Sequence, residues 1–315
     1  MWCRAFAGMT PKRTESIFSH LQKREDEGVG EGNFELSRRM YKMEISLTIS
    51  SPGPKTAPII FRGDYAERIT QAAAIGYKAM ELHIRDPKVV DRKSILRGLE
   101  KRGMEVSTIG TGQAYGEDRI FFTSQDEQVR RAAVQRIKEQ IDFASQLGAK
   151  VIIGLIKGPL PEEESQKANA RSKAIDCLRE CADYAQKGNV LLVLEAINRY
   201  EANFLNTAEE TERFLQEVGS AMVGLHLDTF HMNIEEVSIE GAIRKHAKRL
   251  MHMHLADSNR WVPGMGHLDF HSVLSTLREI GYQGYLGLEC FPIPDPQSAA
   301  EQAIEYLGEI LSKIA

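Results

Sequence analysis

Four apolar runs in the second half of the chain each end on a residue that can ligate a metal or carry a proton. Residues 190–195 end on Glu195, 223–228 on Asp228, 250–254 on His254 and 285–289 on Glu289. A single glutamate at such a junction is ordinarily solvated. Four in succession would aim three carboxylates and an imidazole at one place, and burying three carboxylates together without a cation is costly. A divalent metal, one per chain, removes that repulsion. Three oxygen donors and one nitrogen suit Mn²⁺, or alternatively Mg²⁺ or Co²⁺, better than a structural zinc, which favours thiolates and several histidines.

More polar residues are placed to reach the same rim. His231 lies three after Asp228, Arg260 six after His254 and Glu201 six after Glu195. Each alone reads equally well as a loop salt bridge. Together beside a metal they are the donors and acceptors that orient a polyhydroxylated, carbonyl-bearing ligand. His226 and His252 share the inward face of their runs one layer deeper and read as packing or supporting residues rather than ligands. Glu81 and His83 can also face inward, with nothing to separate them from ordinary interior polar residues. The segment 110–116, rich in glycine, reads as a loop against the far end of a substrate. Cys290 should point away from Glu289, because side chains alternate along a strand.

The elements that must position these residues follow a strand-then-helix rhythm. Apolar, β-branched runs occur at 43–50, 79–84, 104–111, 150–156, 190–196, 222–228, 250–255 and 284–289. Helical patterns fill the gaps at 64–75, 91–102, 127–147, 171–187, 208–218, 239–245, 270–280 and 299–312. Glycines at 76, 103, 148, 188, 219 and 281 fall just past helix ends, where a left-handed residue closes the last turn. Eight such alternations imply parallel strands with right-handed crossovers. A doubly wound open sheet would carry a Gly-rich phosphate turn after its first strand. The turn here, Ser51-Pro52-Gly53-Pro54, is not one. The expected fold is therefore an α/β, closed (β/α)₈ barrel over residues 43–315, the length of 315 residues agreeing with one such domain. Residues 1–42, charged and rich in glycine, are expected to form a flexible N-terminal extension, with a short helix possible over 16–23.

The motifs together resemble a known group. Glu195-x-x-Asn198-Arg199-Tyr200-Glu201, Leu227-Asp228-Thr229-Phe230-His231-Met232-Asn233 and His254-x-Ala256-Asp257-Ser258-Asn259-Arg260 stand beside Pro263-Gly264-x-Gly266-x-x-Asp269-Phe270 and the closing Gly281-Tyr282-x-Gly284-Tyr285 that leads to Glu289. They resemble the xylose isomerase-like TIM barrel superfamily and, within it, the D-tagatose 3-epimerase and D-psicose 3-epimerase family. The resemblance runs from about Met43 to the end and is most specific between Glu195 and Glu289. It implies Mn²⁺ held by Glu195, Asp228, His254 and Glu289. It implies Glu195 and Glu289 as the acid–base pair, and Glu201, His231 and Arg260 on substrate oxygens. It also implies a homodimer or homotetramer. One departure is Ala196, where the family commonly has Pro, and the first half of the chain matches less well.

The expected activity is epimerisation of a ketose at C3 through a cis-enediolate, or a related aldose–ketose isomerisation. One alternative is a barrel subunit that processes keto-glycosides in a larger complex; another is an endonuclease IV-like nuclease. The formal charge of -4 offers no broad basic surface for a phosphate backbone, which speaks against the nuclease. No apolar run approaches the roughly 18 residues of a membrane span. The first ten residues are too short an apolar stretch for a secretory signal. The four cysteines, Cys3, Cys177, Cys181 and Cys290, lack metal-site spacing and read as reduced thiols in a cytoplasmic protein.

Overall fold

Side chains alternate along a strand, so a strand that packs helices on one face and its fellow strands' side chains on the other must satisfy two surroundings at once. In β1 (Glu44–Ser50), Ile45, Leu47 and Ile49 enter the hydrophobic core, whereas Ser46, Thr48 and Ser50 lie buried on the opposite face. The computed structural model describes residues 43–52 and 57–314. The expected extension over 1–42, the possible helix at 16–23, Cys3, and Gly53 and Pro54 of the turn lie outside the described residues.

After β1 come the two-residue strand β2 (Phe61–Arg62), α1 (Tyr65–Ile75), β3 (Ala79–His83), α2 (Arg92–Arg102) and β4 (Glu105–Gly110). The chain continues through α3 (Gly112–Asp118), α4 (Glu127–Leu147), β5 (Lys150–Ile153), α5 (Glu164–Lys187), β6 (Leu192–Glu195) and α6 (Ala208–Val218). It ends with β7 (Val223–Asp228), α7 (Thr229–Glu235), α8 (Ile239–His246), β8 (Leu250–His254), α9 (Phe270–Glu279), β9 (Tyr285–Leu288) and α10 (Pro296–Ile314). Every strand pairing is parallel. Neighbours follow chain order from β3 to β9, and β1 pairs with both β3 and β9. The sheet therefore closes as the expected (β/α)₈ barrel, with β2 as an extra short strand beside β1.

The barrel interior is polar. Ser46 and Ser107 meet at 2.6 Å, and the Thr48 hydroxyl donates to the Leu288 carbonyl at 2.7 Å. Register places Thr48 beside Glu81, Glu81 beside Thr108, His226 beside His252 and Asp228 beside His254. The ladder slips between Met80 and Glu81 and again between Leu225 and His226, where the chain begins to deliver its polar inward residues. Local irregularities of this kind re-aim side chains near functional sites.

Helix starts follow from carboxylate and hydroxyl caps. Asp64 accepts from Glu67 N, Asp91 from Ser94 N, and Thr207 with Glu210 forms a reciprocal capping box. Left-handed glycines close α1, α2, α4 and α6 as expected. At Gly188 the expectation is corrected. Its φ is -93°, and Asn189 takes the left-handed position one residue later with φ 51°. Strand β5, expected over 150–156, stops at Ile153, because Gly154 turns the chain into a 3₁₀ turn, Leu155–Lys157. Helix α5 begins at Glu164, seven residues before its apolar pattern. Of those seven only Ala170 is buried, so periodicity gave no signal there. Two short helices, α3 and α7, had no counterpart in the expected pattern.

The buried Tyr77 hydroxyl donates to the Ala300 carbonyl at 2.7 Å, tying the C-terminal helix to the start of β3. Tyr77→Phe removes this hydrogen bond and is expected to cost about 0.5–1.5 kcal/mol in urea unfolding, with the barrel otherwise intact.

Candidate active site

The strand ends deliver the four expected residues to one mouth. Glu195 closes β6, Asp228 closes β7, His254 closes β8, and Glu289 follows the last residue of β9. One ligand atom from each lies within 4.8 Å of the others. Glu195, His254 and Glu289 line a cavity of about 350 Å³, as do His231, Glu201 and Arg260.

The hydrogen bonding around these groups favours a cation. One Asp228 oxygen accepts from Phe230 N at 2.7 Å and so starts α7. The other, Oδ2, is buried without a hydrogen-bond partner among the described residues, as is His254 Nδ1. Those two bare atoms are 3.9 Å apart, and His254 Nδ1 is 4.0 Å from Glu195 Oε1. Unpartnered buried polar atoms are costly and uncommon. Here they converge with two more carboxylates, the donor set of a divalent metal. Burial, then the neighbouring Glu289, pushes the Glu195 pKa up to about 8, and burial lifts Asp228 to about 6. A cation at their centre reverses both shifts.

His254 is oriented from behind by Glu81, a residue the sequence did not distinguish. Glu81 is wholly buried and accepts from His254 Nε2 at 2.9 Å, His252 Nε2 at 3.2 Å, His83 Nε2 at 2.7 Å and the Thr108 hydroxyl. Burial alone would raise its pKa, but His254 and then the hydrogen bonds from the three imidazoles hold it well below the usual carboxylate range. Burial opposes charge on His254 as well, and Glu81 outweighs it, lifting His254 to about 10. With Nε2 engaged on Glu81, Nδ1 is the nitrogen that faces the carboxylates.

His226 and His252 occupy the expected deeper layer, wholly buried, with ring centroids 4.9 Å apart. Their nitrogens and those of His254 are close enough to suggest a second group of ligands. The Nε2 atoms of His252 and His254 are both engaged on Glu81, however, which leaves His226 and His252 as packing beneath the mouth.

At the rim, Arg260 reaches Glu201 at 2.6 Å and Glu289 at 3.2 Å, with its guanidinium 4.8 Å over the Phe230 ring. Its backbone is left-handed, φ 62°, and its loop is tied down by Asp257, whose carboxylate accepts from Ser258 N, Gly264 N and Leu268 N. His231 Nε2 lies 3.8 Å from Glu195 Oε1. The 110–116 segment, expected as a loop, enters helix α3 at Gly112, and Gly112, Gln113 and Gly116 line the cavity. Lys157 was not singled out either. Its ammonium is buried and donates to the Glu195 carbonyl at 3.1 Å, and burial lowers its pKa to about 8. It stands beyond a strand end, where periodicity says nothing. Cys290 points into the core as expected, and Cys177, Cys181 and Cys290 are free.

Residues 69–310 match the profile of the xylose isomerase-like TIM barrel. The chain belongs to that family. It is 34% identical over 235 residues to the D-psicose 3-epimerase of Enterocloster bolteae, covering 72% of this chain and 77% of that one. The L-ribulose 3-epimerase of Mesorhizobium japonicum is 33% identical, covering 69% and 72%. A crystal structure of the D-allulose 3-epimerase of Methylomonas sp. in complex with D-allulose superposes with a TM-score of 0.72 at 25% identity, covering 86% and 99%. The protein is thus an enzyme of the isomerase class, a sugar epimerase by family. Among the described residues no helix is long and apolar enough to cross a membrane.

Glu81→Gln puts an amide N–H₂ where only acceptors are needed. It is expected to weaken binding of an added divalent metal ion by about 10–100-fold in isothermal titration, the usual effect of losing a residue that orients a ligand. Gly287→Ala, whose Cβ would stand 2.6 Å from His254 Cδ2, is expected to act in the same direction.

Proposed function

We propose that this chain epimerises a free ketose at C3, by proton transfer between Glu195 and Glu289 beside one divalent metal ion, with Mn²⁺ the preferred candidate. The observation that carries the reading is the pair of glutamates at the ends of β6 and β9, set at one cavity floor with the bare Asp228 and His254 atoms beside them. Asp228, His254, Glu195 and Glu289 would hold the ion. When bound, such an ion acts as a Lewis acid toward the ketone and its neighbouring hydroxyl.

The C–H beside a ketone is weakly acidic, and inverting that carbon needs a base on one face and an acid on the other. Glu195 and Glu289 rise from non-adjacent strands and so approach the carbon from different directions, one removing the C3 proton and the other returning one on the opposite face. In the reverse reaction the roles exchange. Arg260, hydrogen-bonded to Glu289, keeps that carboxylate in place and faces the cavity with a fixed positive charge. His231 and Arg260 steady the oxygens where negative charge develops, and Glu201 accepts from a substrate hydroxyl. Arg260 is the one Lys or Arg side chain among the described residues that line the cavity, and it is already paired to Glu201 and Glu289. That supports an unphosphorylated substrate. We further place the enzyme in the cytoplasm, where the three buried free thiols stay reduced, and expect a homodimer or homotetramer.

Incubation with a panel of ketoses in D₂O with Mn²⁺ tests the reaction. Label should enter at C3 of the substrate together with appearance of its epimer, and Glu289→Gln should lower that exchange by about 10²–10⁴-fold. Absence of exchange in every ketose, with metal bound, would overturn the reading.

Removing metal with a chelator is expected to abolish exchange and Mn²⁺ to restore it. Mn²⁺ at 100 times its Kd should also raise unfolding stability by about 2.7 kcal/mol, read by thermal denaturation.

A further inference from the structure

Asn198 is buried behind the cavity wall, touches neither the four converging ligand atoms nor the cavity, and connects three groups. Its Oδ1 accepts from Tyr200 N at 2.9 Å. Its Nδ2 donates to Glu201 Oε1 at 3.0 Å and to His231 Nδ1 at 2.7 Å. The orientation of an amide is often ambiguous, because its oxygen and nitrogen are alike in shape. Here the surroundings decide it. Turning the amide over would set N–H₂ against the Tyr200 N–H and the amide oxygen against the Glu201 carboxylate, and both contacts are repulsive.

Because Nδ2 can only donate, His231 Nδ1 must accept. The ring is then neutral with its proton on Nε2, the nitrogen nearer Glu195. We propose that Asn198 is a positioning residue that locks His231 as a neutral Nε2–H donor aimed at the substrate oxygen beside Glu195. The proposal rests on the epimerase reading for its catalytic consequence, though not for the tautomer itself. Burial, then the charges of Arg260 and Lys157, hold the His231 pKa well below the usual imidazole value, in keeping with a neutral ring. A neutral donor stabilises an oxygen as it gains negative charge without adding a cation to a site that already holds Arg260 and a metal-binding cluster.

The second hydrogen of the same amide group steadies Glu201, whose Oε1 also accepts from Arg260 Nη1 at 2.6 Å. One side chain thereby sets two of the groups that face the substrate. The motif Glu195-x-x-Asn198-x-x-Glu201 makes this possible: the Asn198 carbonyl accepts from Glu201 N and Ala202 N, a turn that brings residues 198 and 201 side by side.

Imidazole ¹⁵N correlation spectra of the full-length protein, metal-free and with diamagnetic Mg²⁺, test the tautomer directly. The His231 signal is assigned by its loss in His231→Gln. The expected spectrum near pH 7 shows Nε2 protonated and Nδ1 bare. A proton on Nδ1, in either a neutral or a charged ring, would overturn the proposal, whatever the enzyme's substrate proves to be. In Asn198→Asp the donor becomes an acceptor, so His231 should acquire a proton on Nδ1 and kcat should fall by about 10²-fold with KM little changed. Retention of the Nε2–H ring in that variant, or wild-type kcat alongside the altered ring, would equally sink it. Should the variant fail to fold, the wild-type spectrum still decides whether the ring is held as an Nε2–H donor.

Discussion

The mutual repulsion of three carboxylates held at one point is the constraint around which the rest of this protein is arranged. Glu195, Asp228 and Glu289 cannot all be ionised within 4.8 Å in a buried site unless something compensates them. The barrel brings them together because three separate strands end at the same mouth. Compensation comes from Arg260 across the rim and, in the reading advanced here, from a divalent ion whose place is marked by two bare buried atoms.

The polar interior beneath the mouth follows from the same constraint. An imidazole ligand works only if one nitrogen is fixed and the other free, and Glu81 does the fixing from β3, three strands round the closed barrel from β8. A buried glutamate needs donors, and it has them from three histidines and a threonine. The barrel core, which commonly consists of branched aliphatic side chains, is here given over to hydrogen bonding, and the aliphatic packing lies between strands and helices instead. Gly154 and Gly287 fit this crowding. A Cβ on the first would stand 2.7 Å from Glu195 Oε2, and on the second 2.6 Å from His254 Cδ2, so bare backbone is required where the ligands lie flat against a neighbouring strand.

Much of this was legible in advance. Strands β6, β7 and β8 announced themselves as apolar runs ending on Glu195, Asp228 and His254, and α1, α2, α4 and α6 closed on their expected glycines. What escaped were features without a period. Helix α7 is a single short run whose cap is Asp228 itself, so its start is hidden inside a strand end. Lys157 lies in a 3₁₀ turn, and the first seven residues of α5 bury only one side chain. Glu81 had the right parity for the interior, but parity does not say which of several inward polar residues will meet.

By itself the sequence determined the order of eight strands and helices, the face each strand turns inward and the ligand-type residues at four strand ends. Local propensity and alternation decide those things within a few neighbouring residues. Tertiary structure alone decided that Glu81 stands behind His254, 173 positions away, and that Asn198 meets His231 across 33. Such meetings depend on barrel closure and strand register, which are set by the packing of the whole chain. The tautomer of a histidine depends in turn on which donor that packing places beside it.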